Sequence, residues 1–255
     1  MLGWFWPLVF LGRAQRKVLE RGAPILTYHK IGEPPPKTRD PFLYAGAETF
    51  DQHFRMLGDA GLRPVSLSQL ITNLDDAKQV AITFDDGFRS VLDSGLEVLA
   101  RHKVCAIQFL VTSFIGKRNE WDIEKQDVPE PLMDAAQIKE WLGAGHEIGS
   151  HSATHRNLKK LSQAEAREEI SGSKKALEDQ FGVPVRHFCY PFGGWTPAVR
   201  DLVAEAGYSS ACSVQFGVND AGADRFALRR IIPLSGAEVV RKVIHRLGRK
   251  VGYKS

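Results

Sequence analysis

The chain holds 255 residues, 43% hydrophobic and 25% charged, which is enough for one large domain with a buried core and excludes a disordered chain. A formal net charge of +4 is too modest for a polybasic nucleic-acid binder, so no nucleic-acid partner is expected. Three cysteines in an odd set without paired spacing exclude a disulfide framework and favour a reducing compartment.

Residues 1–22 read as an N-terminal apolar and basic extension. Its apolar part, Leu2 to Leu11, is too short to span a bilayer. With no basic stretch before it and no small-residue cleavage site after it, it is a poor secretory signal. A cytoplasmic site, or one at the surface of the cytoplasmic membrane, is therefore expected over secretion. Aromatics followed by Arg13, Arg16 and Lys17 fit an interfacial anchor, and equally a terminal helix packed on the domain.

From 23 to 235 the chain reads as one domain in which apolar runs alternate with helical patterns. Strands are predicted at 25–31, 80–85, 105–111, 146–151, 187–192, 208–214 and 227–233, nearly continuous in hydrophobicity as strands buried on both faces are. Ser66 with Gln69, Asp134 with Gln137 and Ser162 with Glu165 read as helix starts, as does Thr196 before Pro197. Gly61, Gly145, Gly182 and Gly207 follow helical stretches as stops. About seven such units predict a distorted β/α barrel of parallel strands, and no glycine-rich dinucleotide fingerprint follows a strand. Residues 236–255 form a basic helix or tail with six Lys/Arg against one acid.

Chemistry in a parallel barrel collects where strands end. Tyr28-His29, Asp85-Asp86-Gly87, "SHSATH" (150–155) and "YPFGGW" (190–195) all fall there. Two imidazoles, His151 and His155, on a loop with a nearby carboxylate suit a divalent cation with open positions. Adjacent like charges are costly, and a cation on one aspartate offsets the cost while the other stays free as a base. Divergent side chains on an extended backbone would let the pair divide the work. The competing reading makes Asp86 a helix cap and the histidines surface residues.

"TFDDG" (83–87), "HSATH" (151–155) and "YPFG" (190–193) together resemble the first three motifs of the polysaccharide deacetylase family, carbohydrate esterase family four. "PILTYHKIG", "LRPVSLSQL" and "AGHEIGSH" further resemble its bacterial poly-N-acetylglucosamine deacetylase branch. The resemblance spans about Pro24 to Pro233 and implies metal-dependent removal of an acetyl group from a sugar, with an acetylated glycan or glycolipid as substrate. It implies Asp85 as catalytic base and Asp86, His151 and His155 as ligands of one divalent metal. Zinc is favoured by that donor set, and cobalt, nickel or manganese would fit it. Phe192 would supply an oxyanion N–H, with Tyr190, Pro191 and Trp195 beside the substrate.

The chain departs from the family's majority pattern at Cys189, where many members have an arginine that orients the base. Arg230 in "ALRRIIP" is the expected substitute. For the general acid, His29 at the first strand end is preferred to His245 in the basic tail. Trp121 lies in a long loop that could serve as a lid, and His53, His102, His146 and His187 read as structural. A hydrolase of a non-sugar C–N bond, or a catalytically weak glycan-binding protein, stays open as an alternative. The basic tail and aromatic start would also suit peripheral membrane contact.

Overall fold

A computed structural model describes residues 22–125 and 127–233. The extension up to Arg21 and the tail from 236 onwards, His245 included, lie outside the described residues. Ten strands form, β1 (Ile25–Tyr28), β2 (Lys30–Ile31), β3 (Tyr44–Ala45), β4 (Arg63–Val65), β5 (Gln79–Phe84), β6 (Ala106–Leu110), β7 (Glu147–Ser150), β8 (His187–Cys189), β9 (Ser210–Phe216) and β10 (Leu228–Arg230). The main sheet runs β1-β5-β6-β7-β8-β9-β10, with short β4 beside the start of β5 and every pair parallel. β10 returns to β1: the Thr27 amide donates to the Ile231 carbonyl at 2.9 Å and the Ile231 amide to Ile25 at 2.8 Å. Seven parallel strands thus make a nearly closed barrel, as the alternating pattern predicts.

Strand alternation sorts the core into two layers. Ile25, Ala81, Ile107, Phe109, Cys189, Cys212 and Leu228 cluster inside the barrel. Leu26, Ile82, Phe84, Leu110, Ile148 and Phe188 face outward and pack with helix residues such as Phe50, Ile138 and Leu177. The same alternation carries inward the residues two and four beyond Ala81, namely Thr83 and Asp85. An apolar barrel interior therefore becomes polar at its C-terminal mouth.

Helix starts follow the sequence signals. Asp134 with Gln137 and Ser162 with Glu165 close reciprocal capping boxes, whereas Ser66 makes only the side-chain half, accepting from the Gln69 amide. Thr196 caps the helix Pro197–Glu205. Gly61, Gly145, Gly182 and Gly207 all take positive φ at helix ends. Three expected strands fall well short of their apolar runs, 227–233 among them, which forms only as Leu228–Arg230. The first breaks at His29, and 187–192 stops at Cys189, before Pro191, which has no N–H for the ladder. β2 is the end of the expected strand 25–31, split off at His29, while β3 and β4 have too few residues to give a periodic signal.

Gly149 of β7 lies opposite Phe109 of β6, and a Cβ there would fall 2.5 Å from the Phe109 ring and 2.8 Å from the His187 carbonyl. Gly149→Ala should therefore cost about 1–3 kcal/mol of stability through overpacking, read as an earlier urea midpoint. An unchanged midpoint would show that the barrel interior is looser than this packing.

Candidate active site

Asp85 continues β5 by one residue, its amide donating to the Tyr28 carbonyl at 3.0 Å. The chain then turns sharply, with Asp86 at φ 75° and Gly87 at φ 88°. The two carboxylates diverge because Asp86 is left-handed, which corrects the expectation of an extended backbone. Such a turn is strained for a non-glycine residue, and Ser152, His155 and Phe192 also take positive φ. Four of the six non-glycine residues with positive φ among the described residues are therefore gathered in these loops.

Asp86 Oδ1 stands 3.3 Å from His151 Nε2 and 3.2 Å from His155 Nε2, with all three residues buried. That oxygen makes no hydrogen bond, and neither does His155 Nδ1. The three atoms converge on a common point rather than pairing with one another. His151 donates from Nδ1 to the Cys189 carbonyl at 2.7 Å. Burial opposes charge on this imidazole, but the groups around it, the two carboxylates among them, hold its pKa well above the ordinary value, so a cation would displace the proton on Nε2. An orphaned buried carboxylate oxygen flanked by two imidazole nitrogens fits a divalent cation. Burial alone would raise the Asp86 carboxyl, but the adjacent imidazoles outweigh it and hold it well below the usual carboxylate range. Burial lowers the His155 pKa despite the Asp86 charge, which keeps this imidazole neutral as a ligand must be.

A second donor group, Asp85, His151 and Cys189, shares His151 with the first. It is poorly suited to a cation. Arg230, equally buried, grips Asp85 in bidentate fashion, one nitrogen 2.7 Å from Oδ1 and the other 2.7 Å from Oδ2. Burial also pushes the Cys189 thiol up to about 11, so it stays protonated. Burial opposes ionisation of Asp85 as well, but the guanidinium overrides it and brings the carboxyl down to about 2. Arg230 is itself fixed by donating from Nε to the Ser213 carbonyl at 2.8 Å and from one terminal nitrogen to Thr83 Oγ1 at 3.2 Å. The arginine expected at 189 is thus supplied from β10, and the small thiol of Cys189, 3.1 Å from Arg230, leaves room for it.

His29 lies at the same mouth, its Nε2 3.9 Å from Asp85 Oδ2, with the side chain 21% exposed. Phe192 is half exposed, and its ring centroid lies 4.6 Å from that of His155. Of the other residues expected beside the substrate, two are buried and Trp195 is partly buried. Tyr190 is buried and donates its hydroxyl to the Phe226 carbonyl at 2.8 Å; Pro191 is buried too. Trp195 stacks on Tyr190 at 6.2 Å and packs on the core. These three support the turn from beneath, because the strand ending at Cys189 directs its motif back into the barrel wall. The histidines read as structural lie elsewhere: His53 bonds Tyr28, His102 bonds Asp51, His187 bonds two serines and His146 accepts from Ala106.

Two supports, Glu169 and the Lys30–Glu130 pair, escaped the sequence reading, and Trp121, in the loop read as a lid, is a third. Glu169, in a π-turn at Glu168–Gly172, accepts from the Ala153 and Thr154 amides at 3.0 and 2.8 Å and from the Thr154 hydroxyl, which pins the His151–His155 loop. The Trp121 ring lies 4.4 Å from His155. Its loop is tied down by Lys30, fully buried, whose Nζ is 2.7 Å from Glu130, and by the Met133 amide donating to Gly87 at 2.8 Å.

The family model described as polysaccharide deacetylase matches residues 73–211. The Bacillus subtilis (strain 168) protein YxkH, a polysaccharide deacetylase by name, is 26% identical over 213 residues, 82% of this chain and 70% of its own length. The peptidoglycan-N-acetylglucosamine deacetylase PgdA of Listeria monocytogenes is 33% identical over 129 residues, 50% of this chain but only 23% of PgdA. Among solved structures, the Streptococcus pyogenes deacetylase PplD in complex with acetate shares the fold with a TM-score of 0.72 at 23% identity, over 86% of this chain and 97% of its own. IcaB from Ammonifex degensii does so with a TM-score of 0.71 at 22% identity, over 87% and 96% respectively.

Glu169→Ala should strand two buried loop amides and cost about 1–3 kcal/mol, measured by urea unfolding. A midpoint equal to that of the parent would show that the loop holds its shape without the carboxylate.

Proposed function

Since the chain belongs to the polysaccharide deacetylase family, we propose that its buried Asp-His centre hydrolyses the N-acetyl group of a sugar in a glycan or glycolipid. The observation that carries the reading is the division of the aspartate pair: Asp85 held by Arg230, Asp86 aimed with two imidazoles at a cation-sized point. Asp86, His151 and His155 would hold the ion; zinc suits them best, and cobalt, nickel or manganese fit the same donors. When bound, the cation supplies Lewis-acid polarisation of the acetyl carbonyl and acidifies a water.

The chain's own groups carry the protons. Asp85 is ionised at neutral pH, and each of its oxygens keeps a lone pair beyond the one Arg230 uses. It takes a proton from the water that attacks the acetyl carbon. Arg230 fixes its direction and stops it from swinging onto the cation. The Phe192 N–H, in the turn beside His155, is assigned to the developing oxyanion. Collapse of the tetrahedral adduct breaks the C–N bond, and His29, across the mouth from Asp85, delivers the proton the amine needs. Acetate and a free amino sugar leave. A catalytically weak binding protein drew on the missing arginine at 189 and on the unclear general acid, and the Arg230 contact argues against the first of these.

Acetate release from an N-acetylglucosamine oligomer should be measurable and should stop on chelation, resuming with added zinc. No release from any acetylated glycan would sink the reading. Asp85→Asn should lower kcat by about 10²–10⁴-fold at unchanged metal content, whereas Asp86→Asn should lose the metal; the reverse pattern would exchange the two roles. Arg230→Lys, unable to grip both oxygens, should cost at least about tenfold in kcat with KM little changed. Full activity in that variant would remove Arg230 from the mechanism.

A further inference from the structure

Five large hydrophobic side chains stand exposed among the described residues, Ile123, Phe192, Val214, Phe216 and Ile232, each between 46% and 56%. Isolated exposed hydrophobics are ordinary and should scatter over a surface. These do not scatter. Phe192 lies in the turn after β8, Val214 and Phe216 on the projecting end of β9, and Ile232 just past β10. Ile123 lies in the Glu120–Lys125 turn whose Trp121 packs on His155. All five surround the same barrel mouth.

Three of the four neighbouring elements are adjacent strands, β8, β9 and β10, so their ends form one wall. The Val214 side chain fills the space over Gly193, where a Cβ would meet it at 2.1 Å, directly beside Phe192. Phe216 stands in register with Arg230. β9 is bulged here, its register against β10 shifting between Leu228 and Arg230, and its last three residues are exposed.

Basic side chains border this wall. Lys117 and Arg118 are exposed after β6, Lys159 and Lys160 after β7, and Arg229 lies against Gly217, while Arg156 is paired with Glu165 and Glu120 stands exposed in the turn of Ile123. The described chain ends at Pro233, next to Ile232, and the sequence that follows, 234–255, carries six Lys/Arg against one acid.

An apolar rim bordered by cations is the composition of a surface that seats in an anionic bilayer. Sugar faces are held by flat aromatic rings, and three of these five side chains are branched aliphatics. No described helix is long and apolar enough to cross a membrane. We propose that the barrel mouth seats on an anionic lipid surface through Val214, Phe216 and Ile232, so that the acetylated sugar it receives is the headgroup of a membrane-anchored lipid. The seat rests on the deacetylase reading only for the identity of that headgroup.

Sedimentation of the full chain with vesicles of phosphatidylcholine and phosphatidylglycerol tests it without catalysis. The parent chain should pellet, less so at high salt. Val214→Ser/Phe216→Ser/Ile232→Ser should partition at least about tenfold more weakly, with an unchanged melting temperature and unchanged hydrolysis of a soluble N-acetylglucosamine oligomer. If the triple variant melts early, Phe216→Ser alone should still weaken partition by a measurable factor. Equal pelleting of parent and variant, or a parent that stays in the supernatant, overturns the proposal. Loss of oligomer hydrolysis with folding and pelleting intact also overturns it, and makes the wall a sugar subsite. A parent that elutes as a dimer and a variant that elutes as a monomer would overturn it in favour of self-association. If the chain pellets as expected but cleaves no acetylated sugar, the seat stands and the deacetylase reading falls.

Discussion

The grip of Arg230 on Asp85 is the constraint on which the centre depends. Two carboxylates in sequence, both buried, could not stay ionised together unless each had its own cation. Arg230 serves Asp85 from the last strand, and its two 2.7 Å contacts cross the seam where β10 returns to β1. The barrel must therefore close before Asp85 is held in place. Asp86, turned away by its left-handed backbone, is left to the imidazoles.

The geometry around that pair is held by neighbours rather than by local preference. Positive φ at Asp86, Ser152, His155 and Phe192 would relax in a free loop. Glu169 opposes this at the histidine loop, Ser152 Oγ accepts the His155 amide at 3.1 Å, and the buried Lys30–Glu130 pair moors the segment that brings Trp121 over His155. Ionic and polar groups taken out of water are expensive, and here they fix positions that packing alone would leave loose.

Much of this was legible in the sequence because it follows from short-range rules. Unbroken apolar runs marked the parallel strands, capping residues marked the helix starts, and the strand-end position of Asp85, Asp86, His151 and His155 put them in one mouth. Arg230 was readable as a substitute because Cys189 left a role unfilled. What could not be read depends on distant pairing. Glu169 carries no periodic signal, the turn that inverts Asp86 is not encoded by aspartate propensity, and Tyr190 looks like a surface motif residue until the fold shows its hydroxyl on Phe226. The β2–β3 pair is two residues a side, too short to carry a periodic signal.

The central claim is that the two overlapping donor groups are not equivalent, because Arg230 reserves Asp85 and burial keeps the Cys189 thiol protonated, at about 11. X-ray absorption of the zinc-loaded chain separates them directly, since a thiolate scatters at about 2.3 Å and nitrogen or oxygen donors at about 2.0–2.2 Å. The expected ligand set is nitrogen and oxygen alone, with two imidazoles, unchanged in Cys189→Ala. A sulfur scatterer that disappears in Cys189→Ala would place the ion on Asp85, His151 and Cys189 and contradict it.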